Sequence, residues 1–168
     1  DIGRNAENIR NIIKKLQTSF NVIENSRIPV IAAIHGACIG GAVDLISACD
    51  IRYGSVDSFF SIHEVKIGMV ADVGTLQRLP NIIPLGLMME LALTGRKMYS
   101  KEALKSGLLN SIYNNKSELL NSTINIAKDI CNNSPIAVTG TKKIIKYSLD
   151  HNTTDSLDYV ALWNSAML

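Results

Sequence analysis

Cysteine is scarce in this chain, where Cys38, Cys49 and Cys131 are the only three. An odd number with no CxxC or Cys/His ligand spacing makes neither a disulfide framework nor a metal site, and it points to a reducing compartment. Charge of one sign is missing too. With 17 Lys and Arg against 15 Asp and Glu, the formal charge is +2. The basic residues are scattered, and pairs such as Lys14-Lys15 read as solvated helix faces, so neither a nucleic-acid surface nor a membrane surface is expected. No apolar run approaches the roughly 20 residues that a bilayer crossing needs, and the opening DIGRNAENIRNII lacks the layout of a signal peptide. A soluble chain is expected. The helical start without an initiator Met points to a piece of a longer protein. Internal repeats and low-complexity segments are also lacking.

What is present is apolar residues in quantity. At 46% hydrophobic and 19% charged over 168 residues, the chain can bury one good core as a single domain or part of one. Ile9, Ile12, Ile13, Leu16, Phe20 and Ile23 recur at spacings of three and four, which predicts an amphipathic helix over 8–24 that packs one face. Val30 to Ile34, between Pro29 and Gly36, suits a strand buried on both faces, and Gly40-Gly41 opens a helix running to about Cys49. IRYG and SFFSI read as short strands, and Thr75 to Leu79 as a short helix. Beyond residue 80 the chain turns helical. PLGLMMELALTG ends on Gly95 as C-cap. SKEALKSG, capped by Ser100, and KSELLNSTINIAKDICNN follow. The last two helices are expected to be capped by Ser134 and Thr153, and GLLNSIY is the one strand candidate in this half.

A few polar residues stand out against this background. Gly40-Gly41 at a helix start leaves backbone N–H groups without partners and lets a ligand oxygen approach, as an oxyanion site requires; close helix–strand packing explains the pair equally. GACIGGA matches no dinucleotide or phosphate-loop fingerprint. Asp44 lies about one turn in, over the same helix end, where complementing the dipole is its plain role. Glu64 follows a strand, and Asp72 stands in the small, apolar run GMVADVGTLQRLP. Two carboxylates sharing an apolar pocket would titrate above the usual value of about 4 and serve as base and acid. The alternatives are a salt bridge from Glu64 to Lys66 or Arg78, and an N-cap role for Asp72 on the helix from Thr75. Asp50, at the far end of the Gly41 helix, reads as structural. His35 and His63 have no second ligand at metal spacing and are given no catalytic role. Met88, Met89 and Trp163 read as helix packing or an oligomer surface.

Three stretches, IPVIAAIHGACIGGAVDLISACDIRYGS, FFSIHEVKIGMVADVGTLQRLP and LTGRKMYSKEALKSGLLNSIY, together resemble the enoyl-CoA hydratase/isomerase, or crotonase, family. Gly40, Gly41, Asp44, Glu64, Gly74, Gln77, Arg78 and Leu79 stand at the family's pattern positions. The resemblance implies an α/β crotonase-like (ClpP/crotonase) spiral of β-β-α units over 1–110, with a helical oligomerisation region over 111–168 that makes a homotrimer or homohexamer. It implies an acyl-CoA thioester substrate and no cofactor or metal. Hydratases usually carry Glu where this chain has Asp44 and Gly where it has Asp72. With aspartate there, the pattern resembles the branch that converts 3,5-dienoyl-CoA to 2,4-dienoyl-CoA in unsaturated fatty acid β-oxidation, in mitochondria or peroxisomes. Carried over residue by residue, Asp72 removes a proton beside the thioester carbonyl, Glu64 returns one at the far end of the diene, Asp44 positions the pair, and the Gly41 N–H holds the oxyanion. Enoyl-CoA hydration, a Δ3-Δ2 enoyl shift and a fold-retaining binding protein are the alternatives. The family's upstream turn, of the kind (F/S)-x-A-G-x-D-L, supplies a second oxyanion donor. No such turn precedes residue 29, so the N-terminal part of the fold is expected to lie outside this sequence.

Overall fold

The structure, a computed structural model, describes residues 5–167. Strands β1 (Ile31–Ile34) and β2 (Ala37–Ile39) are separated by two residues, the second being Gly36 with φ 69°. That left-handed turn, which glycine adopts without strain, lets the chain leave one sheet and enter another immediately. Strands β3 (Ile51–Ser55) and β4 (Phe59–Ser61) repeat the step. One sheet runs β1-β3-β6, all parallel, with β6 at Ser111–Tyr113; the other runs β2-β4-β5, with β5 (Met98–Tyr99) antiparallel to β4. The matching registers, Ile31 opposite Ile51 and Ala37 opposite Phe59, show each strand pair laid beside the previous one.

Each pair leads into helix. After β1-β2 comes α2 (Gly41–Ser47). After β3-β4 come a 3-10 turn (Glu64–Ile67), α3 (Thr75–Arg78) and α4 (Leu85–Thr94), with α5 (Ser100–Ser106) between β5 and β6. This β-β-α repetition builds one core that includes Val43 and Ile46 of α2, Phe60 of β4, Leu79, Leu91 and Met98. Each such buried side chain contributes roughly 1.5–3 kcal/mol. Helix α6 (Lys116–Cys131) packs on the β1-β3-β6 sheet with Leu119 fully buried. Its start is capped by the Asn115 side chain, which accepts the Glu118 amide. Helices α7 (Pro135–Tyr147) and α8 (Thr153–Met167) form a hairpin in which Gly140 makes room for the Trp163 indole, since a Cβ there would run into the ring. Trp163 is therefore a packing residue. Met88 is buried as well, while Met89 faces out.

Several expectations are corrected. Helix α1 (Ala6–Glu24) buries none of its residues, and Ile12 and Val22 are 56% and 66% exposed. Its attachment to the body includes the polar residues Gln17, Asn21 and Glu24, with Ile23 packed on the core. Ala33 is exposed, so β1 is not buried on both faces. Ser100 is the first helical residue of α5 and donates its hydroxyl to the Val56 carbonyl, so it is no cap. Ser134 sits at the cap position of α7 without a side-chain bond, and the cap at the start of α8 is Asn152, which accepts the Asp155 amide, in place of Thr153. Strands β2 and β5 were not expected. The three cysteines are unpaired, and burial pushes the Cys38 thiol up to about 12. No helix among the described residues is long and apolar enough to cross a membrane.

Candidate active site

The first turn of α2 organises the site. Gly40 has φ 57° and ψ −122°, a backbone shape that disfavours any side chain, and its amide donates to the Ser61 carbonyl at the end of β4 at 3.0 Å. A Cβ on Gly40 would stand 3.1 Å from Glu64 Oε1, so the glutamate carboxylate lies directly against this turn. Gly41 differs. A Cβ there would meet no atom within 4 Å, so close helix–strand packing does not explain this glycine. Its amide has no acceptor among the described residues, as the first N–H groups of a helix lack intrahelical partners.

Two carboxylates lie at that turn, and a third, Asp72, stands three residues before Thr75, whose amide Asp44 accepts. Asp44 is 1% exposed, and its Oδ1 accepts the Thr75 amide at 2.6 Å, while its Oδ2 is buried without a partner. The expected dipole-complementing role is thus joined by another, because Asp44 supplies the N-terminal acceptor for α3. Asp72 is consequently not the cap of that helix. Its carboxylate, half-buried between buried Ala71 and Val73, has no hydrogen bond or ion pair among the described residues. Glu64 opens the 3-10 turn with Oε2 buried and unpartnered. It pairs with neither Lys66 nor Arg78, whose guanidinium instead meets Glu24 at 2.8 Å. A buried polar atom left unsatisfied costs about 1–3 kcal/mol. Two carboxylate oxygens in that condition beside one helix start are hard to attribute to stability, and buried polar atoms left without partners call for a functional explanation.

The loop between Asp72 and α3 is folded tightly. Gly74 has φ 133°, and a Cβ there would collide with the Arg78 guanidinium, which turns back beneath the loop and donates to the Val73 carbonyl at 3.3 Å. Only glycine permits that passage.

The family model described as enoyl-CoA hydratase/isomerase matches residues 2–162. The chain belongs to the enoyl-CoA hydratase/isomerase family. It is 55% identical to the peroxisomal Delta(3,5)-Delta(2,4)-dienoyl-CoA isomerase of Arabidopsis thaliana, over all of this chain and 60% of that protein. Its identity to the mitochondrial enzyme of the same name from Rattus norvegicus is 52%, over all of this chain and 52% of that protein. Its fold matches the crystal structure of an enoyl-CoA hydratase from Bacillus anthracis with a TM-score of 0.90 at 31% identity, over 97% of this chain and 63% of that one. The crotonase-like α/β fold is thereby established, and the chain spans about half to three-fifths of the curated relatives it matches.

Other polar residues singled out in the sequence lie elsewhere. His35 faces Asp57 at 3.6 Å at the surface, and His63 Nδ1 lies 3.2 Å from Ser61 Oγ. Asp50 joins β1 to α7 by accepting the Val30 amide and the Lys142 ammonium, both at 2.7 Å, in agreement with its structural reading. Buried Arg52 was not foreseen; it donates to the carbonyls of Cys49 at 2.6 Å and Leu108 at 2.9 Å, closing the C-terminal end of α2. A cleft of about 1080 Å³ is lined by that same end, Ser47 to Asp50, with α1 and α7, and does not include Gly40, Gly41 or Glu64. No group of three or more His, Cys, Asp or Glu among the described residues could hold a metal ion.

Proposed function

We propose that the protein carrying this chain isomerises 3,5-dienoyl-CoA to 2,4-dienoyl-CoA. The observation that carries this reading is the pair of buried, unpartnered carboxylate atoms, Asp44 Oδ2 and Glu64 Oε2, at the helix start that bears the open Gly41 amide, joined through the Asp44–Thr75 bond to the loop that carries Asp72. Hydration would add water across a double bond, whereas isomerisation only removes one proton and returns another. Asp72 takes the proton from C2. The electron pair delocalises through the thioester carbonyl and the diene, and the Gly41 N–H stabilises the charge on oxygen as it develops. Protonation of C6 by Glu64, which enters the cycle carrying a proton, leaves double bonds at C2 and C4; the proton on Asp72 then passes through solvent to Glu64, so atoms and charge balance without oxidant or cofactor. Asp44, held by the Thr75 amide, positions the pair.

The similarity to relatives named as dienoyl-CoA isomerases supports the same substrate and a peroxisomal or mitochondrial setting. The test is the ultraviolet absorbance of the 2,4-dienoyl thioester formed from 3,5-dienoyl-CoA by the natural gene product. Hydration of 2-enoyl-CoA without diene migration would overturn the proposal in favour of a hydratase. The resemblance supports a second expectation, a trimer or a dimer of trimers, with the exposed Leu149, Leu157 and Leu162 of the helical tail, at 65%, 61% and 66%, available to an interface. Light scattering should give three or six times the protomer mass, and a monomeric mass would refute it.

A further inference from the structure

We infer that the polar face of α1 formed by Gln17, Asn21 and Glu24 is a positioning element for Asp72, an inference that rests on the reading of Asp72 as the base. These three residues, spaced by four and three, share one face of the helix. All of them reach the 72–78 loop. Gln17 Nε2 donates to the Asp72 carbonyl at 2.6 Å. Asn21 Oδ1 accepts from Arg78 Nη2 at 2.6 Å, and Glu24 Oε2 accepts from Arg78 Nε at 2.9 Å. Arg78 in turn donates to the Val73 carbonyl. Two consecutive carbonyls, those of Asp72 and Val73, are therefore held from α1, one directly and one through Arg78. With the Asp44 bond to the Thr75 amide, three backbone atoms within four residues are pinned.

The Asp72 side chain has no partner to orient it, so the direction of its carboxylate is set by its backbone and by its buried neighbours Ala71 and Val73. Hydrogen bonds are directional where apolar contact is not, and an error of about 1 Å in placing a reacting group costs up to about a hundredfold in rate. Helix α1 is able to serve as the reference because its C-terminal end is anchored. Ile23 packs on the core, and Lys146 Nζ donates to the Glu24 carbonyl. Its outer face carries no comparable constraint, with Ile9, Ile12 and Leu16 all exposed.

The experiment compares Gln17→Leu, Asn21→Ala, Asp72→Asn and the double variant Gln17→Leu/Asp72→Asn in the natural gene product, reading kcat, KM and Tm. Gln17→Leu is expected to lower kcat about tenfold with KM within about twofold and Tm nearly unchanged, and Asn21→Ala to act in the same direction but more weakly. Adding Gln17→Leu to Asp72→Asn is expected to cost nothing further, because a device that acts through Asp72 has no effect once the base is gone. If Gln17→Leu does not fold, Gln17→Glu, of the same shape but without the amide donor, carries the same expectation. An unchanged kcat in the Gln17 variant beside an inactive Asp72→Asn overturns the positioning role and leaves the base assignment standing. An equal loss from Gln17→Leu in both backgrounds also overturns it, since Gln17 would then act independently. Full activity in Asp72→Asn would instead sink the base assignment, and the inference with it.

Discussion

Asp72→Asn should lower kcat for dienoyl-CoA isomerisation by about 10²- to 10⁴-fold, the usual contribution of a positioned general base, while leaving KM and Tm almost unchanged. The asymmetry follows from the site. The Asp72 carboxylate makes no hydrogen bond or ion pair among the described residues, so an amide of the same shape removes no stabilising contact. The loop stays anchored through the Asp72 and Val73 carbonyls and the Thr75 amide, none of which the substitution touches. What disappears is the basicity of one oxygen. Steady-state kinetics with 3,5-dienoyl-CoA, set beside a thermal melt, separates the outcomes. Activity within a few-fold of wild type would assign the proton abstraction elsewhere, and a large fall in Tm would mean that Asp72 is structural after all.

Asp50→Ala should have the largest effect on stability, a loss of about 3–5 kcal/mol, because it removes one member of a shielded ion pair and strands the other. The Lys142 side chain is 9% exposed and that of Asp50 17%, so the pair is largely shielded although it lines the cleft beside α7, and Lys142 is left with the Ile28 carbonyl alone. The Val30 amide loses its acceptor at the same time, and Lys146, 3.7 Å from Asp50 Oδ1, loses its nearest anion. For a chain of this size that corresponds to a fall in Tm of about 6–20 °C. The double variant Asp50→Ala/Lys142→Met should recover part of the loss, since it removes the stranded charge while keeping most of the aliphatic volume. Denaturant unfolding of the three proteins provides the comparison. A single variant within about 1 kcal/mol of wild type would show that the pair is solvated and the burial argument wrong.

Much of this protein was legible residue by residue. The periodicity of Ile9 to Ile23 marked α1, and Gly95 ends α4 in the left-handed conformation that its sequence position called for. Gly40, Gly41, Asp44, Glu64 and Asp72 were visible as chemistry because glycine and carboxylate are informative wherever they interrupt apolar runs. Strands β2 and β5 were missed, because three and two residues are too few to display an alternation. Periodicity also promised α1 a buried stripe that the structure does not contain. The pattern identifies which face of a helix is apolar, but not whether anything covers it.

The sequence by itself determined the α/β character and the identities of the candidate acids, because side-chain chemistry, local spacing and backbone preference are properties of neighbouring residues, and its resemblance to known chains gave the family. Only the tertiary structure decided what each acid touches. Asp44 meets Thr75 across 31 positions, Arg78 meets Glu24 across 54, and Gln17 meets Asp72 across 55. No local pattern encodes such a pairing, which exists because core burial brings distant elements to one place. Whether a carboxylate oxygen is left without a partner, or a glycine such as Gly41 faces open space rather than packed atoms, depends on everything around it at once. The structure removed two alternatives that the residues alone had left open, the cap role of Asp72 and the packing role of Gly41.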